Sequence, residues 1–143
     1  MNALVRRYLK TAILFLVLGL GIGVWMLLAR EFGIPLPVRV RSAHIHAVLV
    51  GFVLMMIAGV ALWMFPRIRP DDSRHRPWLA ESAWWCIALG TGVRVALELT
   101  LPGGSGTGTR AVLVGAGVAQ FVGLLLFFWG IWPRIRSSRP DGG

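Results

Sequence analysis

Between Arg41 and Arg67 the chain runs RSAHIHAVLVGFVLMMIAGVALWMFPR, and from Ser42 to Pro66 it holds no Asp, Glu, Lys or Arg. About 20 such residues in a helix cross the hydrocarbon of a bilayer. A run this apolar therefore predicts a membrane span and leaves little room for a soluble fold. Its start carries two histidines, His44 and His46. Ionisable side chains inside a membrane face a partner, a cofactor or a water-filled cavity. The remaining apolar runs are then what surrounds these two imidazoles.

Three further runs are long enough to span, giving predicted spans at about 8–29, 42–65, 78–101 and 111–132. The chain reads as one domain, residues 1–143: an all-α, integral membrane four-helix bundle. Its 56% hydrophobic and 15% charged residues fit the membrane class. The first apolar run, 11–29, exceeds the ~7–15 residues of a signal-peptide core, and no small-x-small cleavage site follows it, so it is expected to remain as a span. The third span is the least apolar, with Glu81, Arg94 and Glu98; the last two are four apart, on one face, and can pair. PGGSGTGTR before the fourth span lacks the lysine of a phosphate loop and a preceding strand, and is expected to be a flexible linker.

The formal net charge of +9 comes from arginines clustered between the apolar runs. That distribution marks membrane flanks and excludes a nucleic-acid footprint. Arg6, Arg7 and Lys10, then Arg67, Arg69, Arg74 and Arg76, then Arg134, Arg136 and Arg139 fall on one side; Arg30, Arg39, Arg41 and Arg110 fall on the other. The positive-inside rule then puts both termini in the cytoplasm of a multi-pass protein of a bacterial-type inner membrane. His44 and His46 lie near the outer face. The single cysteine, Cys86, excludes an intrachain disulfide and is expected to be a buried, inert thiol.

Two residues apart on a helix means about 200° apart. His44 and His46 cannot both hold one metal ion from the same regular helix. At 3.6 residues per turn, Val48, Gly51, Met55, Ala58, Gly59 and Leu62 share the His44 face, and Val50, Val53, Ile57, Val60 and Met64 share the His46 face. Small residues such as Gly51 would let a flat macrocycle approach the backbone, which makes His44 the better axial ligand for haem b. His46 is expected to pack and donate a hydrogen bond. Arg39 and Arg41, one short turn before His44, and Arg94, reaching the same side from the third span, are candidate partners for haem propionates. Met26, at a suitable depth in the first span, is a candidate second ligand. His75 stands beyond the far end of the second span, roughly 30 Å away, and cannot share an iron with His44 in one chain.

The Arg-x-x-His start and the aromatic-x-x-Pro end of 41–66 resemble the second transmembrane helix of subunit I in haem–copper oxidases and nitric oxide reductases. Here Arg41 matches the arginine, His44 the low-spin haem ligand and Pro66 the terminal proline. That helix also enters from the outer face. The resemblance covers this helix, and short four-span relatives of the subunit are the best match. It implies a retained haem b site linked to respiratory or nitric oxide metabolism. Three histidines in all cannot supply the remaining haem and copper ligands of the full subunit, and Tyr8, the sole tyrosine, matches no catalytic position. The expected role is electron transfer, with a redox partner protein, or binding of a diatomic gas, and not autonomous oxygen reduction. Two rival readings stand: copper or zinc held by His44 or His46 across a subunit interface, and a cofactor-free assembly or structural protein. A bundle this small leaves a haem partly uncovered, so a homo-oligomer is expected, with Gly19/Gly23 and Gly115/Ala119 as candidate contacts.

Overall fold

In the computed structural model, which describes residues 2–65, 76–101 and 106–135, all regular structure is helical. Four helices follow in order: α1 (Ala3–Phe32), α2 (Val40–Met64), α3 (Pro77–Thr100) and α4 (Thr107–Ile135). Three of them, α1, α2 and α4, are long and apolar enough to cross a membrane. Arg94 and Glu98 lower the hydropathy of α3, as its sequence foretold.

α1 and α4 outrun their predicted spans at both ends, whereas α2 and α3 match theirs to within two residues, because different forces set the two limits. Hydrophobicity sets a span, whereas caps and turn residues stop a helix. Asn2 caps α1 through its side-chain oxygen, which accepts the Leu4 N–H at 3.4 Å. The helix then runs through Arg30 and Glu31 to Gly33, whose φ of +66° is the left-handed conformation that glycine adopts without strain. There the N–H groups of Gly33 and Ile34 both reach the Ala29 carbonyl. Phe65 ends α2 in extended conformation, as the residue before Pro66 should. Pro77 opens α3 at a position that needs no N–H donor. Part of the expected linker is helical instead: α4 already includes Thr107 to Arg110. A glycine-rich composition weakens a helix without forbidding one.

Within α2, His46–Leu54 form nine residues of π-helix. The wider turn moves the buried stripe to every fourth residue, Ala43, Ala47, Gly51 and Met55, before Ala58 and Gly59 resume. This corrects the expectation of a regular helix at 3.6 residues per turn.

Small residues let the helices approach closely. A Cβ on Gly19 would stand 2.6 Å from Val48 Cγ2, and one on Gly90 would stand 2.8 Å from the Ala116 carbonyl oxygen. Gly19 and Gly23 therefore serve the contact between α1 and α2 within one chain. They are not a free face for a second copy. Gly115, by contrast, opens onto empty space in a shallow groove with Val112 and Ala119. Buried polar groups tie the helices together. Gln120 Nε2 donates to Thr91 Oγ1 at 3.0 Å between α4 and α3. The wholly buried Tyr8 donates its hydroxyl to the Ala80 carbonyl at 2.8 Å, joining α1 to α3, and its ring meets Phe127 of α4. Tyr8→Phe removes this tie while the Ala80 carbonyl keeps its place in the α3 ladder, and we expect a loss of about 1 kcal/mol in unfolding free energy measured in mixed micelles. The outer surface is apolar, with Leu14, Val17, Trp63, Leu89, Val114 and Trp129 all exposed. Such a surface suits lipid and not water. Cys86 is half-buried.

Candidate functional site

His44 sits where α2 crosses the glycines of α1. Its Nδ1 lies 2.9 Å from the Gly19 carbonyl oxygen. A carbonyl can only accept, so Nδ1 carries the proton, and in the neutral ring Nε2 keeps its lone pair. A Cβ added at Gly23 would stand 3.1 Å from His44 Cε1, so the ring sits close against α1 and would have to give by a few tenths of an ångström to admit one. His46 meets a different neighbour, as a separation of about 200° requires. Its Nδ1 lies 2.9 Å from the Ser42 carbonyl one turn back, so this ring is fixed in the same tautomer. Among the described residues neither Nε2 has a hydrogen-bond partner.

A second feature lies between α2, α3 and α4, at the end where α2 begins and α3 ends. It is an open cleft of about 640 Å³. Arg39, Ser42, Arg94 and Glu98 form its polar part, and Leu113, Val114, Val118 and Phe121 of α4 form an apolar wall. Glu98 is only 4% exposed. Its Oε1 accepts from Ser42 Oγ at 2.8 Å and from Arg94 Nε at 3.1 Å, while its Oε2 has no partner among the described residues. Gly117 makes room for the guanidinium, since a Cβ there would stand 3.1 Å from Arg94 Nη1. Arg39 is half-buried, and its side chain has no ion pair or hydrogen bond among the described residues.

The residues singled out in the sequence thus divide. Arg39 and Arg94 come together, and His44 is not among the residues lining their cleft. Arg94 does pair with Glu98, as their spacing implied, and it also faces a cavity. Arg41 is exposed just before His44, and Met26 packs half-buried against the core. Gly51 does not offer clearance beside His44: the Phe15 ring of α1 fills the space, with Cγ 2.4 Å from where a Cβ would stand. The small neighbours of His44 are supplied by α1. Pro66 and His75 lie outside the described residues. Two contributors escaped the sequence reading, the Gly19 carbonyl and the Ser42 hydroxyl, because a backbone acceptor and a lone serine leave no pattern. No three His, Cys, Asp or Glu side chains converge among the described residues.

No family model, curated protein or solved structure matches this chain.

Proposed function

We propose that the chain is a membrane b-type haem-binding protein related to subunit I of haem–copper oxidases, with His44 as axial ligand. The observation that carries this reading is the imidazole of His44, held by Nδ1–H donation to the Gly19 carbonyl with Nε2 unpartnered. Metal-bound histidines are oriented in this way, their second nitrogen donating to a carbonyl or carboxylate that fixes the tautomer. The donor fits the group. Arg41, one turn before His44, would answer a propionate. Met26 stays a candidate second ligand. Haem, when bound, supplies a one-electron couple, or a site for nitric oxide or oxygen if the sixth position is open. The chain's own part is to orient the imidazole, bury it beside Gly23 and exclude water with the apolar residues of α1 and α2. Electron transfer to a partner protein or gas binding follows, and autonomous oxygen reduction does not, for want of further histidines.

In this reading the four helices all cross a bacterial-type inner membrane, both termini are cytoplasmic, and His44 lies near the outer face. Support comes from the arginine asymmetry of the connections. A second copy would cover the haem's remaining edge, and the open Gly115/Ala119 groove on α4 stays a candidate contact between copies.

The test is a visible spectrum of the full chain purified after expression with ample haem. We expect a Soret band in the wild type, its near-complete loss in His44→Ala and its retention in His46→Ala. A wild type without the band overturns the reading. The second reading, copper or zinc between copies, draws on the equally unpartnered Nε2 of His46; stoichiometric copper or zinc without iron in elemental analysis would select it.

A further inference from the structure

The haem reading proposed above takes Arg41 for a propionate, and the cleft of Arg39, Ser42, Arg94 and Glu98, which His44 does not line, is taken here for a different occupant. Two arginines against one glutamate leave it a formal charge of +1. Arg39 has no counter-ion among the described residues. The buried Glu98 still lacks a donor for Oε2. An occupant that satisfies both must carry an anion and, a few bonds away, a hydrogen-bond donor.

The apolar wall adds a third requirement. Glu98 stands near the end of α3, Arg94 one turn deeper, and Gly117 of α4 is level with Arg94. From Leu113 to Phe121 the wall descends about 12 Å along α4 at ~1.5 Å per residue. That is the upper part of an acyl chain, running down from a polar mouth. Free phosphate would leave this wall uncovered.

We propose that the cleft binds an anionic phospholipid with a hydroxyl-bearing headgroup. Its phosphodiester lies between Arg39 and Arg94, a headgroup hydroxyl donates to Glu98 Oε2, and an acyl chain covers Val114, Val118 and Phe121. The single negative charge matches the cleft's +1. Basic pockets between transmembrane helices seat anionic headgroups at the cytoplasmic face, and the same charge pairing is open to an outer-leaflet lipid at this end of the helices. Choline headgroups lack the donor, and their net charge of zero leaves the cleft unbalanced.

The full chain, delipidated in detergent and supplied in turn with phosphatidylglycerol, phosphatidylmethanol, phosphatidylethanolamine and phosphatidylcholine, would be weighed by native mass spectrometry. Phosphatidylmethanol carries the same charge as phosphatidylglycerol without its hydroxyls. We expect one phosphatidylglycerol retained per chain, less phosphatidylmethanol, and little of the other two. Arg39→Ala, placed before the first turn of α2 where it leaves the packing intact, should lower phosphatidylglycerol retention about fivefold. Glu98→Leu, which offers the headgroup hydroxyl neither acceptor nor donor, should abolish the preference for phosphatidylglycerol over phosphatidylmethanol. Equal retention of phosphatidylglycerol and phosphatidylcholine overturns the phosphate contact. No difference between phosphatidylglycerol and phosphatidylmethanol overturns the role of Glu98, and a preference for phosphatidylethanolamine replaces the anion with a zwitterion. None of these outcomes depends on haem, so they separate this proposal from the assignment of His44.

Discussion

Replacing Arg94 with leucine should lower stability by about 3 kcal/mol, the lower end of the roughly 3–5 kcal/mol cost of breaking a buried ion pair. The cost arises less from the lost attraction than from what remains. Glu98 is 4% exposed, and without Arg94 its carboxylate keeps only the Ser42 hydroxyl as donor. The low end of the range is expected because the Arg94 side chain is itself 27% exposed and part of its charge is already screened. The double variant Arg94→Leu/Glu98→Leu should recover most of the loss, since leucines in both places leave no charge without a partner and suit an apolar site. Unfolding of the two singles and the double in mixed micelles gives the coupling directly. Additive effects would show that the pair contributes nothing as a pair. Arg7 and Glu81 make the contrast: their bond at 3.1 Å joins α1 to α3 between side chains that are each about half exposed, and such pairs contribute little.

How much of this was legible in the sequence depends on the range of the force involved. Apolar runs announce helices because the bilayer imposes a length, and every run became a helix. The Arg94–Glu98 pair was legible because an i, i+4 spacing is local. Gly19 and Gly23 signalled a close approach but not the identity of the partner, which proved to be α2 of the same chain. The opposed directions of His44 and His46 followed from helical geometry alone. The π-helical stretch did not, because its wider turn depends on how α2 is packed. Even so, Val48, Gly51 and Gly59, drawn on the face of His44, do meet α1 as His44 does; what the sequence did not show is that Phe15 already fills the room at Gly51. The cleft was half legible. Arg39 and Arg94 were both marked, but their meeting needs the tertiary placement of α3 beside the start of α2.

Gly51 is where the packing of that face has a measurable consequence. Drawn on a regular helix, it shares the face of His44, and a flat cofactor would account for its lack of a side chain. In the structure the occupant is Phe15, whose Cγ and Cβ would stand 2.4 and 2.7 Å from an added methyl. Neither atom is the free end of a flexible chain, so a rotamer change cannot clear the clash. The helices must separate or tilt. Gly51→Ala is therefore expected to destabilise the protein by about 1–3 kcal/mol, the usual cost of overpacking a core, despite the roughly 0.5–1 kcal/mol that alanine gains over glycine inside a helix. Gly21→Ala, where an added Cβ meets nothing within 4 Å, should keep only that gain and match or exceed the wild type. Haem content sharpens the comparison. A cofactor lying on Gly51 would make Gly51→Ala lose haem while its apoprotein stayed as stable as the wild-type apoprotein. Phe15 in that place makes the apoprotein itself lose stability, whether or not haem is supplied. Unfolding measured on chains prepared without haem thus decides which side chain or ligand this glycine makes room for, independently of whether His44 binds iron.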